Sequence, residues 1–151
     1  MKKSIFVLLL LSSSIYLQAQ NEALHFFHDM AQAKEYAAEN NTDILMVFAG
    51  SDWCRPCIQF KKDILLSDAF AKYADGKITV LYLDFPARRK NRLSAEQTAH
   101  NEALAEKYNR SGAFPKIVLL DKDETILAEP EFKGQSVDEF LQQLNPILAH
   151  G

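Results

Sequence analysis

The chain of 151 residues has little cysteine, no excess of positive charge and no long apolar stretch. Two cysteines cannot build a disulfide-dense scaffold or a four-thiolate zinc site, so whatever they do they do as a pair. With 17 Lys and Arg against 20 Asp and Glu, the net charge of −3 argues against nucleic acid as the main partner, because phosphate binding needs a basic surface. No internal repeat, low-complexity tract or interdomain linker is visible. What remains is ordinary globular composition, 48% hydrophobic and 25% charged, in a length that holds one domain at the usual ~100–200 residues each.

The N-terminus reads as an export signal. Lys2 and Lys3 precede the apolar run Ile5–Leu11, and Leu17-Gln18-Ala19 places acceptable residues at a cleavage site. Ser12–Ser14 interrupt the run, which falls short of the ~18–20 apolar residues a membrane-crossing helix needs. The expected organisation is a signal peptide over 1–19 and a domain over 20–151, periplasmic or secreted, with no membrane span once the signal is removed. Outside the cytosol a cysteine pair is more readily oxidised or engaged in disulfide handling.

Hydrophobic patterning over the remainder alternates strands and helices. Leu24–Phe27 is a short strand, and Asp29 with Gln32 three residues on opens a helix that carries Met30, Ala33 and Ala37 and stops at Asn40-Asn41. Ile44–Ala49 is a continuous apolar run, the pattern of a strand buried on both faces. A helix over about Cys54–Leu66, a short one over Ser67–Ala74 and a strand over Ile78–Leu83 ending at Asp84 follow. Ser94 with Gln97 caps a helix to about Tyr108, closed by Ser111-Gly112. Lys116–Leu120 and Thr125–Ala128 flank the turn Asp121–Glu124 as a hairpin. Ser136 with Glu139 opens a last helix that Pro146 is expected to kink or end. The order β-α-β-α-α-β-α-β-β-α implies one α/β domain with helices on both faces of a central sheet.

The chemistry concentrates at Trp53-Cys54-Arg55-Pro56-Cys57, where a buried strand turns into a helix. A Cys-x-x-Cys that opens a helix puts its first thiol at the exposed N-terminus, where unpaired N–H groups and the helix dipole favour a thiolate. The second thiol, one turn in and more buried, can close a disulfide with the first or attack a mixed disulfide held on it. Arg55 adds positive charge beside Cys54, and Pro56 suits the first helical turn. The same spacing also serves a structural disulfide in a non-catalytic binding module, or half of a metal site, and both readings stay open on spacing alone.

At these residues the sequence resembles the thioredoxin superfamily. The strand Ile44–Ala49, the Trp53–Cys57 motif, the strand ending at Asp84 and Phe114-Pro115 before Lys116–Leu120 stand in that family's order. Phe48–Cys54 and Gly112–Pro115 look most like exported bacterial thioredoxin-like proteins, including the soluble domains of thiol:disulfide interchange proteins. The resemblance implies a thioredoxin-like fold with a central mixed sheet, and a thiol-disulfide oxidoreductase, the reductase direction slightly favoured. It implies Cys54 as nucleophile, Cys57 as resolving thiol, and Pro115 in a cis bond with Phe114 in a loop that lends backbone hydrogen bonds to a substrate strand. Trp53, Arg55 and Pro56 complete the substrate-binding surface. The expected partners are protein thiols and disulfides and a membrane or periplasmic redox protein that recycles the pair. No cofactor beyond the Cys54–Cys57 disulfide, no metal and a monomeric state are expected.

Two positions depart from the family pattern. Many thioredoxins carry a buried Asp six residues before the first Cys, where this chain has Phe48, which leaves Asp52 or water as candidates for proton transfer with Cys57. The segment Pro86–Gln97 is longer and more basic than the usual connection, and its Arg88, Arg89, Lys90 and Arg92 read foremost as a solvated loop. His25 and His28 straddle a strand end and lack two further metal ligands, and His100 and His150 read as solvated.

Overall fold

The computed structural model describes residues 24–148, so the expected leader over 1–19 and His150 lie outside the described residues. Five strands form one sheet in the order β1-β3-β2-β4-β5: β1 (Phe26–Phe27), β2 (Asp43–Ala49), β3 (Ile78–Asp84), β4 (Lys116–Leu120) and β5 (Ile126–Ala128). β1, β3 and β2 run parallel, while β4 runs antiparallel to β2 and β5 antiparallel to β4, so the sheet is mixed. The helices are α1 (Met30–Asn40), α2 (Arg55–Phe60), α3 (Asp68–Ala74), α4 (Ala95–Tyr108) and α5 (Val137–Leu148).

β2 shows why the apolar run Ile44–Ala49 belongs at the centre. Its successive side chains point to opposite faces, and every one of the six is buried. Leu45, Val47 and Ala49 join Cys57 and Phe60 from α2, Ile64 from the turn after it, Phe70 from α3 and Phe140 from α5. Ile44, Met46 and Phe48 join Met30, Ala33, Ala37 and Tyr108 from α1 and α4. The sheet thus carries a separate apolar layer on each face, as expected for this class.

Sequence signals place most helix starts. Asp29 accepts from Gln32 N, Ser67 from Phe70 N and Ser94 from Gln97 N, each side chain satisfying a donor that the first helical turn leaves free. Several expectations need correction. The first strand keeps only Phe26–Phe27. The helix expected over 54–66 is α-helical only to Phe60 and then widens into a π-helical turn, Lys61–Leu65, a backbone change that side-chain periodicity does not report. α5 runs through Pro146 to Leu148, so the proline does not end the helix at its own position, and only two helical residues follow it. His100 is half-buried, its Nε2 accepting from Met30 N at 3.1 Å at the start of α1.

Candidate active site

The site forms at the C-terminal ends of β2 and β3, where Gly50–Trp53 turn the chain into α2. Cys54 is the N-cap of α2, its N–H donating to Gly50 O at 2.9 Å and its Sγ accepting from Cys57 N at 3.3 Å. Cys54 and Cys57 are joined in a disulfide, with Cα atoms 5.2 Å apart. Pro56 lies in the first turn, where a missing N–H is no loss.

The sequence pattern places Cys54 in the open, and the structure corrects this: Cys54 is 4% exposed and Cys57 1%. The order of burial is as expected, but in the oxidised state both sulfurs belong to the core layer between the sheet and α2. Trp53 beside them is half exposed, and Phe114 packs against the same layer with its ring centroid 5.3 Å from that of Trp53. Phe114-Pro115 is a cis peptide bond, immediately before Lys116, which pairs with Phe48 of β2. Phe85 stands on the other side of Phe114, ring centroids 5.4 Å apart. Arg55 is exposed at the rim.

The turn before Cys54 is tied to the chain that leaves β3. Phe85 N donates to Ala49 O at 2.8 Å, and Ser51 donates to the Asp84 carboxylate from its backbone N at 2.9 Å and its hydroxyl at 2.6 Å. Trp53 Nε1 donates to Phe85 O at 2.7 Å. Asp52 extends the tie: Oδ1 accepts from Ala87 N at 2.8 Å, and Oδ2 from Arg88 N at 3.0 Å and Asn91 Nδ2 at 2.8 Å. Desolvation works to raise the Asp52 pKa, but these bonds and the Arg88 charge outweigh it and hold the carboxyl below the usual range. A carboxylate so occupied is a weak base, and its geometry is that of a clamp on the following loop.

Phe48, at the position where the family's buried acid stands, packs in the opposite layer with Phe85 and Leu83, away from the layer that holds Cys57. The polar group that does share the Cys57 layer is Tyr82 of β3, 3% exposed. Its hydroxyl has no hydrogen-bond partner among the described residues, and burial, with the Asp84 charge adding, pushes its pKa up to about 12. Sequence reasoning passes over Tyr82, Ser51, Asp84 and Asn91 as site residues; the only available signal is that Asp84 ends a strand next to the motif-bearing one. His28 is absorbed in structure, Nδ1 lying 2.8 Å from Tyr82 O, and His25 stacks edge-on with Phe27. Two large cavities, of about 780 and 500 Å³, are lined by residues other than the cysteines, so the disulfide lies outside them.

Comparison with known proteins decides the family, since the profile described as a thioredoxin-like domain matches residues 30–146. The chain belongs to the thioredoxin-like family. Among its relatives, the disulfide bond reductase DsbH of Chlamydia pneumoniae is 34% identical over 118 residues, spanning 78% of this chain and 69% of that protein. A solved DsbH oxidoreductase superposes with a TM-score of 0.74 at 26% identity, covering 91% of this chain and 95% of that one. A thioredoxin from Thermus thermophilus gives a TM-score of 0.63 at 17% identity over 85% and 90%, a likeness of fold. A thioredoxin-like chain with such relatives and a Cys-x-x-Cys disulfide at this helix start is a thiol-disulfide oxidoreductase.

Proposed function

We propose that this protein is an exported disulfide reductase acting on other proteins. The observation that carries the reading is the Cys54–Cys57 pair at the N-terminus of α2, beside the cis Phe114-Pro115 bond. Similarity to a protein named as a disulfide bond reductase supports the direction, and the leader-like residues 1–19 support export.

The reduced pair works as follows. The helix start stabilises negative charge on the Cys54 sulfur, through the Cys57 N–H that points at it and the dipole of α2. The Cys54 thiolate attacks one sulfur of a substrate disulfide; a new S–S bond forms to Cys54, the old one breaks, and the released substrate thiolate takes a proton. Cys57, losing its proton, then attacks Cys54 Sγ, closing the intramolecular disulfide and expelling the second substrate thiol. Two electrons pass from the pair to the substrate, and a membrane or periplasmic redox partner returns them. The chemistry needs no cofactor beyond the two sulfurs. Trp53, Arg55, Pro56, Phe114 and Pro115 form the surface that receives the substrate strand.

Insulin reduction with dithiothreitol as electron donor, together with the potential measured against glutathione, tests this. Wild type should turn over, Cys54→Ser should be inactive and Cys57→Ser should accumulate mixed disulfides. The potential should fall near about −270 mV, the thioredoxin end of the scale, and a value near about −120 mV would reverse the direction. Equal behaviour of all three proteins would return the pair to a structural disulfide. The envelope form should begin at Gln20; recovery of the protein in the cytosol alone, with residues 1–19 retained, would refute export.

A further inference from the structure

The loop that Asp52 clamps is unusual in its charge. Arg88, Arg89, Lys90 and Arg92 place four of the chain's 17 cations in five consecutive positions, with no acid between Phe85 and Leu93. All four are exposed, and among the described residues none has a carboxylate within ion-pair distance. The chain as a whole is acidic, so this is a local reversal of potential. It stands just before the N-terminus of α4, where the helix dipole makes clustered positive charge unfavourable.

A solvated connection has no need of fixed geometry, yet this one is held. Both Asp52 oxygens are spent on its backbone and on Asn91, Trp53 Nε1 is spent on Phe85 O, and Arg89–Asn91 form a 3-10 turn. The two residues that do the holding, Asp52 and Trp53, immediately precede Cys54. The backbone of the loop is therefore registered to the turn that leads into the redox disulfide. Arg88 helps hold the Asp52 carboxyl ionised, which leaves Arg89, Lys90 and Arg92 as the charges free for a ligand.

We propose that Arg89, Lys90 and Arg92 form a docking surface for an acidic polypeptide segment, the Asp/Glu-rich flank of the cysteine that Cys54 attacks. The inference rests on the oxidoreductase reading and adds a substrate class to it. A stretch of polypeptide is favoured over a membrane surface because the cations are few, stand on a loop bonded to the two residues before Cys54 and are surrounded by an otherwise acidic protein.

The test uses two disulfide-bonded peptides, one with three Asp/Glu flanking the cysteine and one with neutral flanks, and reads the ratio of their kcat/KM values. Wild type at low salt should favour the acidic peptide about tenfold, falling towards one in 0.5 M NaCl. R89E/K90E/R92E should bring the ratio to one or below, whereas K72E/K122E, a change of two cations to acids at the other end of the sheet, should keep it. Binding of a cysteine-free acidic peptide to the oxidised proteins, followed by anisotropy, reads docking without thiol chemistry, so loss of turnover with binding intact would condemn the enzymatic reading alone. A triple variant that keeps both the ratio and the binding overturns the proposal. So does binding lost equally in K72E/K122E, or loop-dependent binding to phosphatidylglycerol vesicles with none to the peptide.

Discussion

Gly50→Ala probes how the turn before the disulfide is assembled. A Cβ at Gly50 would overlap Trp53 Cε2 and Nε1 and stand 2.7 Å from Cζ2, so the indole must swing away. Two interactions go with it: the Nε1–H bond to Phe85 O at 2.7 Å and the edge-on contact with Phe114 at 5.3 Å. A net hydrogen bond is worth about 0.5–1.5 kcal/mol and an aromatic pair about as much, a loss of about 1–3 kcal/mol. Trp53 is half exposed, so little burial is forfeited besides. Replacing Gly by Ala also narrows the unfolded ensemble and returns about 0.4–1 kcal/mol. The expected net cost is about 1–2 kcal/mol, read as a urea midpoint lowered by about 1 M in the oxidised protein. Trp53 is the sole tryptophan, so its fluorescence reports the same displacement directly. The decisive comparison repeats the substitution in a Trp53→Ala background, where no ring remains to be displaced and the cost should vanish. Equal costs in the two backgrounds would refute the steric argument.

Glu124 accepts from Lys107 Nζ at 2.7 Å, Lys34 Nζ at 2.6 Å and Tyr108 Oη at 2.9 Å, which together hold its pKa down to about 2. Because the folded pKa lies below the ordinary 4.5, its stabilisation is present above pH 4.5 and lost as pH falls through 2. Glu124→Gln should therefore cost about 1 kcal/mol at pH 7 after discounting for solvent screening, a cost that shrinks below pH 4.5 and is gone only below pH 2; a difference in unfolding free energy that does not change across that range would contradict the assignment. Tyr82→Phe removes a buried hydroxyl that has no partner among the described residues and should raise the stability of the oxidised protein by up to about 1 kcal/mol. A loss of that size in thermal unfolding would mean that the hydroxyl is bonded in solution.

Legibility in the sequence followed the range of the interaction. Asp29, Ser67 and Ser94 cap helices through bonds to residues three positions on, so the local pattern announces them. The apolar run of β2 and the Cys-x-x-Cys spacing are likewise local, and the family resemblance supplied the cis Phe114-Pro115 bond. Asp52 is the opposite case: its partners lie 35 to 39 residues away, and a lone acid before a Trp-Cys motif suits a proton-transfer role as well as a clamp. The role of His100 is hidden from the local pattern for the same reason, since Met30 N is 70 residues distant. Burial of Cys54 depends on a core layer drawn from elements distant in the chain, which no helix-terminus rule contains.

The outer strands have a consequence for how the protein behaves in a crowd of its own copies. β1 spans two residues and β5 three, and β5 runs straight into Glu129-Pro130, where a proline offers no N–H. An exposed sheet margin recruits a strand from another molecule only if it offers a run of free backbone groups. Among the described residues the margins are too short to template such growth, so copies of this chain can meet at high concentration without one sheet seeding the next.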